Sequence, residues 1–320
     1  MTFLDFCSGI GGGRLGLESV GFRCLGFSEI DKEAIRTYKN FFDTTNELEL
    51  GNLTKINPKN LPNFDILISG FPCQSFSIVG KREGFENQEK GQILFNLVEI
   101  LKIKQPNYFI LENVKGFVNH QKGETLKQAI KLLESCNYKV FYKVLNTIDF
   151  GLPHSRERVY FVGIHSKIDR KFDFIFDKKY SGIDKFLEPT EQNRFLEGTQ
   201  AYNTFLKYLG NKYNQNKYNL SSLLEENFLI LDTRQSDLRL YRNKTPTIRR
   251  DRQGLLYVYN KKLYKLSGLE ALRLQGFYKL HDLKVKIGEL KQSDLLRQCG
   301  NAMSVNVIEA IAIKIKEMYG

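Results

Sequence analysis

Apolar residues along the first 165 positions switch repeatedly between two periods. Residues 2–6 form a short extended run, glycines follow, and Leu15, Leu17 and Val20 then recur at helical spacing. Residues 22–28 are again extended, and Ala34, Ile35 and Tyr38 mark a second helix. Residues 64–69 read as a buried strand. After a Gly/Pro turn, Leu94, Leu97, Val98 and Leu101 predict a helix over 93–104. A strand at 108–111, a helix at 126–133 and strands at 140–145 and 159–164 close the series. Strand–helix alternation of this kind predicts an α/β fold with a doubly wound, mostly parallel sheet and helices on both faces.

The rhythm breaks after residue 164. Residues 166–245 are rich in Lys, Asn and Tyr and include the low-complexity patch 210–217. We read a first domain at 1–165, a second, smaller, irregular domain at 166–270, and C-terminal helices at 271–320, with an amphipathic helix at 305–318.

Composition narrows the class. Over 320 residues, 42% hydrophobic and 26% charged content is an ordinary globular mix. No apolar run approaches the roughly 20 residues that a membrane span needs. The first five residues, Met1 to Asp5, lack the basic segment of a signal peptide. Five scattered cysteines with no Cys-x-x-Cys pair argue against a disulfide framework or structural zinc, and for a reducing cytoplasm with no bound metal. The net charge of +12 suits a polyanionic partner. Residues 234–265 carry ten bases against two acids, with Tyr241, Tyr257 and Tyr259 interleaved. This block predicts a nucleic-acid surface built on Arg234, Arg239, Arg242, Arg249, Arg250 and Arg252.

Three segments carry candidate chemistry. The first, residues 5–13 (DFCSGIGGG), joins a strand to a helix, so its backbone can turn sharply and meet a ligand with free N–H groups. The next strand ends in Glu29, placed for ribose hydroxyls. At this level NAD and S-adenosylmethionine fit alike. The second segment, Gly70-Phe71-Pro72-Cys73-Gln74, leaves a strand end, where open α/β sheets gather their ligands; Cys73 reads as a nucleophile rather than a core thiol. Glu112, after four apolar residues, reaches the same rim. In the third segment, alternation sends Arg156 and Arg158 to one strand face. Together Cys73, Glu112 and Arg158 form one machine. Cytosine C5 is a poor nucleophile until a thiolate adds at C6, and a protonated carboxyl with a guanidinium relieves the charge at N3 and O2. Such a base must first leave the duplex stack.

On these motifs the chain resembles the DNA (cytosine-5)-methyltransferase family of bacterial restriction–modification systems, over about residues 1–165 and 245–320. The resemblance implies S-adenosylmethionine as methyl donor and S-adenosylhomocysteine as product, with no metal. It makes Cys73 the nucleophile, places Glu112 on N3 and the exocyclic amine, and places Arg158 on O2 with Arg156 in support. It assigns the cofactor to Cys7, Gly9, Gly11, Gly12, Glu29, Ile30, Asn52, Leu53, Pro72, Leu94, Asn301 and Ala302. Residues 166–270 become a target-recognition domain, and the last helix returns to the catalytic domain. Gln74, Ser77 and Arg82 join the DNA contacts, and the loop 80–92, with Gly80, Gly84 and Gly91 as hinges, closes over the flipped base.

Departures are visible. Cys7 stands where the family usually has the Phe that stacks on adenine, with Phe6 one position earlier. Asn52 replaces the usual Asp, its amide oxygen still able to accept from the adenine amine, though more weakly. His154 replaces the common Gln. The expected activity is transfer of a methyl group to cytosine C5 within a specific double-stranded DNA sequence. The protein would act as a monomer in the cytoplasm, with a cognate restriction endonuclease encoded nearby. The alternatives are a transfer-RNA cytosine-5 methyltransferase, whose Cys-Phe-Thr tripeptide is missing here, or a catalytically weak DNA-binding homologue.

Overall fold

A computed structural model describes residues 1–71 and 92–319. The chain divides into two units. The first comprises Met1–Asn146, Glu157–Asp177 and Ala302–Gly320; the second comprises Thr147–Arg156 and Lys178–Asn301.

The first unit is built on a seven-stranded sheet. Its strands are β1 (Thr2–Phe6), β2 (Arg23–Ser28), β3 (Leu48–Glu49), β4 (Ile66–Gly70), β5 (Tyr108–Val114), β6 (Tyr138–Asn146) and, after the two-residue β7 (His154–Ser155) of the second unit, β8 (Glu157–His165). Their order is β3-β2-β1-β4-β5-β8-β6. Strands β1 to β5 pair in parallel, whereas β8 runs antiparallel to both β5 and β6. No helix crosses over between β6 and β8, so the chain returns antiparallel and β8 enters between β5 and β6. Strands β1, β4 and β5 are buried almost throughout, as expected when both sheet faces are covered. On one face, Leu94, Leu97, Val98 and Leu101 of the helix Gln92–Lys104 pack with Leu67, Phe109 and Phe161. The helix Gly12–Glu18 packs on the final helix, Val305–Tyr319.

The second unit has more order than its composition suggests. It contains β9 (Ile230–Asp232), β10 (Arg239–Tyr241), β11 (Thr245–Pro246), β12 (Leu255–Tyr259) and β13 (Lys262–Lys265). Four of these form an antiparallel sheet in the order β10-β9-β12-β13, and β11 pairs in parallel with β7. Phe195, Tyr202, Phe205, Leu231 and Val258 make its own apolar core. These strands are three to five residues long, too short for a sequence period to stand out. Among the described residues, no helix is long and apolar enough to cross a membrane.

Candidate active site

At the carboxyl end of β1 the chain enters the glycine turn, and Glu29 holds that turn in place. Its Oε2 accepts from Gly9 N at 2.8 Å, while Oε1 accepts from Ile30 N at 2.7 Å and Asp31 N at 2.9 Å. Three backbone donors therefore orient one carboxylate, and its remaining lone pairs can meet a diol. Beside it Ile30 is 69% exposed, an apolar surface that a nucleobase can cover. A Cβ on Gly12 would lie 2.3 Å from the Met303 carbonyl oxygen, so only glycine admits this close approach of the final segment. The turn, the oriented acid and the exposed apolar side chain fit the nucleoside part of S-adenosylmethionine.

Other expected cofactor residues stand differently. Cys7 is half-buried with φ of 49°, and burial, aided by the Glu29 charge, raises its thiol pKa to about 12. It packs, partly buried, against the core cluster that holds Phe6. The Oδ1 of Asn52 accepts from Thr54 N at 3.0 Å and from Thr54 Oγ1 at 2.9 Å. A backbone N–H can only donate, so this side of the amide must be oxygen and the NH₂ turns away. The oxygen expected to accept from the adenine amine is thus already committed. Leu53 and Leu94 are 2% and 1% exposed within the core cluster. Of the two apolar side chains flanking Leu94, Ile93 is partly buried at the edge of that cluster and Phe95 is 45% exposed, so both keep accessible surface. Periodicity cannot separate two adjacent apolar residues at a helix start, and close backbone approach of Met303 leaves no mark in the sequence. Asn301 is exposed at the end of the helix Gln292–Asn301, and Ala302 is buried.

The reacting groups gather at the ends of β4, β5 and β8. Gly70 pairs with Glu112, and Phe71 N donates to the Glu112 carbonyl at 3.2 Å. Val114 pairs with Arg158, which sets the two charged side chains on neighbouring strands. Arg158 Nε lies 3.2 Å from Glu112 Oε1, with the side chains 14% and 10% exposed. Shielded from bulk water, such a pair acts with more force than at the surface. A planar heterocycle offering a ring nitrogen and a carbonyl oxygen matches its two functions.

Arg156 corrects the strand-face expectation. The chain is not regular strand at this residue, which falls between β7 and β8. Its side chain is 2% exposed and donates from Nη1 to the Gly300 carbonyl at 3.1 Å within the second unit. Glu157 pairs with Lys115 at 2.9 Å. Pro72, Cys73, Gln74, Ser77 and Arg82, and the hinge glycines Gly80, Gly84 and Gly91, lie outside the described residues. Among the described residues no group of three His, Cys, Asp or Glu side chains could hold a metal ion.

Ion pairing sorts the basic block. Arg239 pairs with Asp237 at 3.5 Å, Arg242 with Glu226 at 2.8 Å and Arg250 with Asp251 at 3.6 Å. Arg234 is buried against Asp232 at 2.7 Å. Among the described residues Arg249 and Arg252 have no acidic partner, so they carry the block's uncompensated charge most directly.

The model of the C-5 cytosine-specific DNA methylase family matches residues 1–317. The chain is 37% identical over 309 residues to the Type II methyltransferase M.NgoBI of Neisseria gonorrhoeae, covering 96% of this chain and 90% of that one. It is 34% identical over 324 residues to M.DsaV of Dactylococcopsis salina, covering 98% and 86%. The fold matches the crystal structure of the S. pombe Dnmt2 methyltransferase with a TM-score of 0.71, 18% identity and full coverage of both chains, a likeness of fold alone. On the full-length family match and these identities, the chain belongs to the C-5 cytosine-specific DNA methylases.

Proposed function

We propose that this enzyme methylates C5 of one cytosine within a defined double-stranded DNA sequence, using Cys73 as nucleophile. The observation that carries the reading is the Glu112–Arg158 pair, 3.2 Å apart, with Glu112 on the strand that pairs with β4, the strand that precedes Pro72-Cys73 in the sequence. Phe71, the last described residue before that segment, donates its N–H to the Glu112 carbonyl at 3.2 Å.

The Cys73 thiolate adds to C6 of the extruded cytosine, forming an S–C bond and moving the ring electrons toward N3 and O2. Glu112 meets N3 and Arg158 meets O2, so the negative charge develops against a proton donor and a guanidinium. S-adenosylmethionine, when bound at Glu29, Ile30 and the Gly9–Gly12 turn, supplies the electrophilic methyl group. Once C5 carries the methyl, solvent water takes the C5 proton, the C6–S electron pair leaves with Cys73 as thiolate, and Glu112 takes back the N3 proton, which restores aromaticity. Arg249 and Arg252 would meet DNA phosphates, and the second unit would choose the sequence. The reading extends to a cytoplasmic monomer working beside a cognate endonuclease that cuts the same sequence when unmethylated.

The experiment is incubation with DNA carrying 5-fluorocytosine at the target and S-adenosylmethionine. Fluorine at C5 blocks the final elimination, so a covalent complex accumulates. Its formation with the intact chain and its loss in Cys73→Ser are expected; undiminished trapping in that variant rejects the assignment.

A further inference from the structure

The second unit encloses a cavity of about 450 Å³, the size of a small-molecule site, given the usual ~300–1,000 Å³. One wall is a helical stripe of Ala201, Thr204, Phe205 and Tyr208, spaced to share one face of the helix Gln200–Leu209. Phe195 adds a second aromatic surface, with Lys265 Nζ 5.3 Å from its ring centre.

The polar side is built around Arg234. Its Nε donates to Asp232 Oδ1 at 2.7 Å, Nη2 to Oδ2 at 2.8 Å and Nη1 to the Thr247 carbonyl at 2.8 Å, which fixes the guanidinium and neutralises it. Gly254 has φ of 135°, and a Cβ there would lie 2.9 Å from Thr233 Oγ1 and 3.2 Å from Arg234 Cγ, so glycine lets this loop close on the arginine. Arg249, Arg252 and Lys265 complete the lining. Among the described residues no acidic side chain lines the cavity, and these three cations have no ion-pair partner. Much of the uncompensated charge of the basic block is thus turned on one aromatic-walled chamber.

We propose that this cavity binds a single nucleotide, its base against the Phe205 and Tyr208 stripe and its phosphate on Arg249, Arg252 and Lys265. A flat apolar ring joined to an anion satisfies both walls at once, and aromatic side chains stack on any base. The nucleotide comes either from a strand of bound DNA, unstacked at a position other than the methylated cytosine, or from the free nucleoside monophosphate pool. The lining residues belong to the second unit, whereas Glu112 and Arg158 belong to the first.

The test is fluorescence titration of the full chain, which has no tryptophan, with 2-aminopurine deoxyriboside 5′-monophosphate. Saturable binding is expected, about tenfold weaker for the nucleoside lacking phosphate and several-fold weaker in Arg252→Ala, since hydrogen bonds to charged groups are the stronger ones. Thr204→Trp, which fills the cavity from an exposed helix position, abolishes binding. S-adenosylhomocysteine does not displace the probe. In a second arm, 2-aminopurine is walked through duplex DNA that contains the methylated sequence. A response at one non-target position, lost in Thr204→Trp, identifies DNA as the source; a response to the monophosphate alone identifies the free nucleotide. Thermal melting by circular dichroism establishes that both variants are folded. The proposal is overturned if neither arm responds, if both variants bind like the parent, or if S-adenosylhomocysteine competes. None of these readouts involves methyl transfer or trapping at Cys73, so this site and the methyl-transfer reading stand or fall separately.

Discussion

Glu112 and Arg158 meet at 3.2 Å across two antiparallel strands, one carboxylate oxygen against one guanidinium nitrogen. The register of β5 and β8 sets this distance, so each side chain holds the other ready for a ring that approaches from the strand ends. Glu112→Gln keeps the shape and removes the acid. Single-turnover methyl transfer should fall by about 10²–10⁴-fold, the range for loss of general acid–base help. Arg158→Lys should also fall steeply, because one ammonium cannot reproduce the planar fork. Rapid-quench assays with labelled cofactor measure both.

Asn52 spends its oxygen on the Thr54 N–H and hydroxyl, leaving its NH₂ on the other side of the amide. Asn52→Asp restores a second oxygen while the first keeps the cap. Calorimetric titration with S-adenosylhomocysteine should show tighter binding by roughly threefold to tenfold, since an ionised acceptor makes the stronger bond to an amine. Equal or weaker binding counts against an adenine amine at this position.

Asp5 gives stability a pH dependence. It is 1% exposed, its Oδ2 accepts from Tyr38 Oη at 3.3 Å, and burial, opposed by nearby Arg14, raises its pKa to about 8. The unfolded carboxyl ionises near its ordinary value of 3.8 while the folded one keeps its proton. The folded state therefore binds more protons between these values, and stability falls as pH rises from about 4 to about 8. Asp5→Asn cannot ionise. Its melting temperature relative to the parent should therefore rise across that window, and a constant difference would remove Asp5 as the source.

Gly12→Ala places a methyl group 2.3 Å from the Met303 carbonyl oxygen, a backbone atom that cannot rotate away. Overpacking of this kind costs about 1–3 kcal/mol. Chemical denaturation should show that loss, together with weaker S-adenosylhomocysteine binding if the same turn holds the cofactor as proposed.

Much of the catalytic unit was legible in the sequence, since the information is local. Short apolar runs, glycine turns and the residues that follow them place Glu29 and Glu112 at strand ends whatever the rest of the chain does. The sequence by itself also determined family and chemistry through the Pro72-Cys73, Glu112-Asn113 and Arg156-to-Arg158 segments. Side-chain partnership is different in kind, because it depends on residues far apart in the chain. Arg156 reads as a strand neighbour of Arg158, yet regular strand is interrupted there and Gly300, 144 positions away, accepts a hydrogen bond from its guanidinium. Six arginines of one basic block looked equivalent in composition, yet packing gave Arg242 to Glu226 and Arg234 to Asp232 while leaving Arg249 and Arg252 unpaired among the described residues. Period and turn chemistry are written residue by residue; which polar atom is already satisfied is decided only when the chain closes on itself.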